Sequence, residues 1–321
     1  MKRWRSAGMG FLVLAVSAVD LAGQMQHSLV VSADWLARHL DDDHVVVLHA
    51  DMRRDGYDEG HIPGAHFLDM RELVWDGDPA WGTEMTAPDR IERALENVGG
   101  RGDLDDLPFL IRQHHVGVRD DLHHVVVYAD NPLFASRAFL TLEVMGLRGR
   151  VNLLDGGWGG WVEDGRAVSA EVPAVTRGEL TLAPVDDVMV SADWIHARLG
   201  DASVALVDAR PDDEYTGADG GMGGMTNPGH IPGARQMYWD DLIESRDVPR
   251  LHDREALRDL FEAAGAEAGD TVVAYCMVGW RASYTYMVAR LLGYETKFYD
   301  GSWHDWGTRD DLPYEQGRPR G

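Results

Sequence analysis

The chain of 321 residues contains a single cysteine, Cys276. That scarcity excludes an intramolecular disulfide and any cysteine-cluster metal centre. Lysine is almost missing too, with only Lys2 and Lys297, so nearly all positive charge is arginine. Thirty Lys and Arg face 54 Asp and Glu, a formal net charge of −24. No basic field exists to neutralise phosphates, which argues against nucleic acid as a partner. A body this negative repels anions, so any anion site needs its own local cation. Apolar runs long enough to span a bilayer are also lacking, and no stable membrane anchor is expected.

One short apolar run does stand out. Lys2, Arg3 and Arg5 precede an apolar stretch at 9–19, followed by small residues around Ala22 and Gly23. This is the pattern of a secretory signal over 1–24 and predicts export, to the periplasm in a bacterium. The alternative is translation from Met25 and a cytoplasmic protein. The apolar fraction of 45% is ample for packed cores, and the length fits two domains of about 150 residues each.

Self-comparison divides the chain. VSADWLARHL at 31–40 recurs as VSADWIHARL at 190–199, and HIPGA at 61–65 recurs at 230–234. VVVYAD at 125–130 matches TVVAYC at 271–276, and LLDGGWGGW at 153–161 matches FYDGSWHDW at 298–306. Four matches in one order mean two copies of one fold, at 28–167 and 188–316, joined by a linker at 168–187. Each copy opens on a Ser-capped helix (32–39, 191–199). A β-branched strand follows (45–48, 204–207), then the HIPGA turn and a second helix (87–98, 253–264). An apolar strand (125–128, 271–275), a third helix (136–145, 282–292) and a last strand (151–154, 297–299) complete the copy. Strands alternating with helices predict two tandem α/β domains, each a mostly parallel sheet flanked by helices, with ligands at the carboxyl ends of strands. His61 and His230 occur in both HIPGA turns, which reads as a structural role.

Cys276 ends an apolar strand, and a helix of good formers begins just beyond Arg281. Between them lie Met277, Val278, Gly279 and Trp280. A strand-to-helix turn aims several backbone N–H groups at one spot, and a helix N-terminus adds partial positive charge. Both favour a thiolate. Gly279 supplies backbone freedom, and Arg281 a permanent cation. A cysteine merely filling the strand end would explain none of these, so Cys276 reads as a nucleophile.

The run C-M-V-G-W-R-A-S resembles the active-site loop of the rhodanese family, and HIPGA and the D-G-x-W-x-x-W endings resemble family signatures in both copies. The resemblance implies a two-domain sulfurtransferase whose second copy is catalytic and whose first, with Asp130 aligned opposite Cys276 and a longer loop at 131–137, is inactive. It implies that Cys276 takes the outer sulfur of a small anionic donor as a persulfide and passes it to cyanide or a thiol, without metal or organic cofactor. The amides of 277–281 would hold that sulfur. Arg210, just beyond a strand, corresponds to a family arginine that binds the anionic substrate, although Asp208, Asp212, Asp213 and Glu214 crowd it. Only four residues separate Cys276 from Arg281, one fewer than in the related cysteine phosphatases, which suits a sulfur atom better than a phosphate. Met277 and Val278 match neither the animal thiosulfate nor the mercaptopyruvate pattern; Glu214 and Tyr215 stand where mercaptopyruvate enzymes tend to carry an arginine. Thiosulfate is therefore the expected donor, with 3-mercaptopyruvate, or a persulfide carrier of little turnover, as alternatives. Met277, Val278 and Trp280 are candidate acceptor contacts, and Trp303 and His304 candidate cleft residues. Oligomeric state is not predicted.

Overall fold

The computed structural model describes residues 28–74, 85, 117–174, 179–219 and 226–318. The expected export segment at 1–24, Met25 and the helix expected at 87–98 lie outside them. In the first copy the described elements are β1 (Val30–Val31), α1 (Ala33–His39), β2 (Val45–Asp51), α2 (Asp55–Glu59), β3 (His66–Asp69), α3 (Met70–Val74), β4 (His124–Tyr128), α4 (Pro132–Leu142), β5 (Val151–Leu154) and α5 (Gly157–Glu163). The second copy supplies α6 (Ala192–His196), β6 (Val204–Asp208), α7 (Asp212–Thr216), β7 (Arg235–Gln236), α8 (Arg254–Ala263), β8 (Thr271–Tyr275), α9 (Trp280–Leu292), β9 (Glu295–Phe298) and α10 (Ser302–Thr308). No helix among the described residues is long and apolar enough to cross a membrane.

The sheets run in the order β1-β5-β4-β2-β3 and β7-β6-β8-β9, and every named pair is parallel. A single parallel bridge from Met189 to Phe298 takes the place of β1 in the second sheet, so both copies share one strand order. Val125, Val126 and Val127 on β4, and Val272, Val273 and Ala274 on β8, are all buried. Consecutive apolar residues are what a parallel strand covered on both faces requires. Ser32 and Ser191 cap α1 and α6 by accepting from the N–H of Trp35 and Trp194.

Equivalent contacts correct the alignment of the two copies. The N–H of Ile62 donates to Tyr128 Oη (3.0 Å), as Ile231 does to Tyr275 Oη (3.3 Å). Trp158 N donates to the carbonyl of Ala129 (3.2 Å), as Trp303 N does to that of Cys276 (2.9 Å). The counterpart of Cys276 is therefore Ala129, and Asp130 falls opposite Met277. Nor is the first loop longer. Asn131 accepts from Leu133 N, Pro132 opens α4 at once, and the helix starts four residues before its expected beginning.

The copies pack through α4 and α9, on which the equivalent Ser136 and Ser283 meet. Ser136 Oγ lies 2.8 Å from Ser283 Oγ, and Phe134 sits edge-on to Trp280 with ring centroids 5.4 Å apart. Two main-chain clasps are also exchanged: Leu251 N donates to Asp155 (3.0 Å), and Met85 N donates to Asp300 (2.9 Å). Just past α4, the fully buried Glu143 accepts from Arg290 Nη2 (2.9 Å), Arg290 Nε (3.2 Å) and Tyr286 Oη (3.3 Å) of the other copy. Breaking such a pair strands a buried charge. Glu143→Ala should cost about 3–5 kcal/mol of stability, read by denaturant unfolding, whereas Glu163→Ala, on the exposed pair with Arg250, should cost less than about 1 kcal/mol.

Candidate active site

Cys276 follows β8 directly, at the carboxyl edge of the second sheet. Its side chain is 1% exposed, so a reagent has to present one protruding atom to reach the sulfur. Gly279, at φ +87°, turns the chain so that its N–H donates to Cys276 Sγ at 3.1 Å before α9 begins. No β-carbon fits there: it would stand 2.9 Å from both Arg137 Nη1 and Asp300 Oδ1. That wall is an ion pair between the copies, Arg137 to Asp300 at 2.7 Å, with Arg137 fully buried. The first copy thus buttresses the sulfur-holding turn from behind.

Ser302 is a site residue that sequence reasoning passed over. Its hydroxyl accepts from Cys276 N (3.2 Å) and donates to Tyr299 O (2.9 Å), pinning the backbone that carries the sulfur. Among the described residues it is the one non-glycine with positive φ, +54°; its counterpart is Gly157, at φ +52°. A serine held where the repeat has glycine carries local strain. The signal was in the sequence, in D-G-G-W against D-G-S-W.

The two arginines expected to bind substrate are both engaged. Arg281 forms a two-pronged pair with Glu214 on α7, Nη1 to Oε1 at 2.6 Å and Nη2 to Oε2 at 2.7 Å. Burial opposes its charge, but the Glu214 contacts and the nearby Cys276 sulfur together hold its pKa above the ordinary range. Arg281 therefore lies beside the sulfur with much of its field cancelled. Arg210 is neither a surface residue nor open to a cleft. It is 1% exposed, bound to Asp208 (2.6 and 2.9 Å) and to Gly229 O (2.8 Å), and stacked over Trp303. In this setting it orders the edge of β6.

Among the loop residues, Met277 is buried in the core with Tyr275, Tyr299, Trp303 and Trp306, and its carbonyl accepts from His304 N. Val278 and Trp280 are half-buried at the mouth of the turn. Trp303 is core, its indole N–H bonded to Asn227 O; His304 is half-buried. His61 and His230 are each buried, stacked on Tyr57 or Tyr215 and bonded through Nδ1 to that tyrosine's carbonyl.

A cysteine at a strand-to-helix turn, with an amide aimed at its sulfur in a doubled parallel α/β fold, fits a thiol-based group-transfer site. Residues 32–164 and 191–309 match the rhodanese-like domain family, and the chain belongs to it. It is 32% identical over 260 residues to a thiosulfate sulfurtransferase of Pseudomonas aeruginosa, covering 81% of this chain and 87% of that one. It is 31% identical to the sulfur carrier protein TtuD of Thermus thermophilus, over 92% of this chain and 99% of that one. The crystal structure of SseA from Escherichia coli, described as a 3-mercaptopyruvate sulfotransferase, superposes with a TM-score of 0.69 at 26% identity, over 86% of this chain and 99% of that one. The protein is a sulfurtransferase.

Two substitutions test the geometry. Gly279→Ala should abolish most turnover, because the left-handed turn and the Arg137–Asp300 wall both reject a methyl group. Ser302→Gly should leave the melting temperature unchanged or raised, while kcat/KM falls roughly fivefold, the worth of one hydrogen bond of about 1 kcal/mol.

Proposed function

We propose that the protein moves the sulfane sulfur of thiosulfate to a thiophilic acceptor, cyanide or a thiol, through a persulfide on Cys276. The thiolate attacks the outer sulfur of thiosulfate; a new S–S bond forms as the bond to the sulfonyl sulfur breaks, and sulfite leaves with the electron pair. The acceptor then attacks the terminal sulfur, giving thiocyanate or an acceptor persulfide, and the Cys276 thiolate returns. Charge arriving on the terminal sulfur would be met by backbone N–H groups of the turn, fixed before reaction. The observation that carries this reading is the 3.1 Å bond from Gly279 N to Cys276 Sγ.

Glu214 favours thiosulfate over 3-mercaptopyruvate as donor. Where a carboxylate-bearing donor would want a second guanidinium, this chain places an acid that also occupies Arg281. A sulfur-carrier reading has its own support, in that paired Arg281 and in the likeness to the Thermus carrier protein. Steady-state thiocyanate formation separates the readings. Thiosulfate should give at least about tenfold higher kcat/KM than 3-mercaptopyruvate, and Cys276→Ser should give none with either. The reverse preference would overturn the donor assignment, and loading of sulfur without turnover would favour the carrier.

A further inference from the structure

At the carboxyl edge of its sheet the first copy carries different side chains at the positions equivalent to those around Cys276. His49 stands where the second copy has Asp208, since each pairs in register with the terminal tyrosine of its neighbouring strand. Asp51, two residues on, stands where Arg210 does. Asp130 follows Ala129 as Met277 follows Cys276, and Phe134 occupies the place of Arg281. The sheet edge that carries Cys276 and two arginines in one copy therefore carries an imidazole and two carboxylates in the other.

These three groups converge. One ligand-type atom each from His49, Asp51 and Asp130 lies within 4.8 Å of the other two. His49 is 1% exposed, and neither of its ring nitrogens has a hydrogen-bond partner among the described residues. An unpartnered buried imidazole costs free energy unless something satisfies it. Its ring is fixed by contacts with Tyr57, Phe67 and Tyr128. Asp51 Oδ1 takes the N–H of Arg53 (3.0 Å), which orients that carboxylate. Asp130 is exposed and Asp51 half-buried, so the cluster opens to solvent at the carboxyl edge of the sheet.

We infer that His49, Asp51 and Asp130 form a divalent transition-metal site in the non-catalytic copy. One imidazole and two carboxylates suit zinc or a similar ion, with water at the open position. An ion about 2.1 Å from each ligand holds ligand atoms roughly 3.4 Å apart, so the observed spacing closes with small side-chain rotations. The ion would satisfy the imidazole and offset the mutual repulsion of Asp51 and Asp130.

The test is calorimetric titration of the chelator-stripped full-length protein with Zn²⁺, in parallel with Cys276→Ser, Asp51→Asn and Asp130→Asn. Asp130 is exposed, so its substitution leaves folding intact, and circular dichroism checks this for each variant. Wild type and Cys276→Ser should each bind one Zn²⁺ per chain with equal affinity, and each Asp variant should bind at least about tenfold more weakly. Absence of stoichiometric binding, binding unchanged by both Asp substitutions, or binding lost with Cys276→Ser would each overturn the assignment.

Discussion

The functional design depends on a sulfur atom accepting a main-chain hydrogen bond at the point where β8 gives way to α9. That bond exists only because Gly279 adopts a left-handed conformation, and the conformation is hemmed in by Arg137 and Asp300. The wall belongs half to each copy. A single domain would have Cys276 and the turn but not the buried guanidinium behind them, which gives the first copy a physical task. The strain at Ser302 acts from the other side, by anchoring the amide of Cys276 itself.

Duplication has left the two halves matched in their scaffold and divergent at the carboxyl edges of their sheets. Strand order, the stacked tyrosine–histidine pairs and the serine caps are preserved, since each satisfies backbone groups that a parallel sheet must satisfy wherever it occurs. The residues at the carboxyl edge are under no such constraint, and there Ala129 stands for Cys276, Asp51 for Arg210 and Phe134 for Arg281. In the second copy Arg210 and Arg281 are paired with Asp208 and Glu214. The contact shown to the sulfur is accordingly a backbone amide, that of Gly279, rather than a free cation, which is consistent with a protein carrying −24 overall.

Much of this was legible in the sequence. The doubled α/β fold and the strand that Cys276 terminates follow from repeat matching and from runs such as Val125–Val126–Val127. The register of the copies did not: a VVVYAD–TVVAYC match ignores which tyrosine hydroxyl receives the isoleucine amide, and so shifted Asp130 onto Cys276. Pairings between distant segments were also out of reach. Nothing in the spacing of Arg281 reveals that Glu214 grips it, or that Arg210 turns inward onto Asp208. Propensity placed α4 too late because a capping asparagine followed by proline was read as loop rather than as a helix start.

The most direct measurement is intact mass spectrometry with peptide mapping after brief exposure of the wild-type protein to thiosulfate, followed by cyanide. The expected result is a gain of one sulfur atom, located on the peptide containing Cys276 and removed by cyanide. A protein that gains no sulfur, or that loads it with Cys276 replaced by serine, would contradict it.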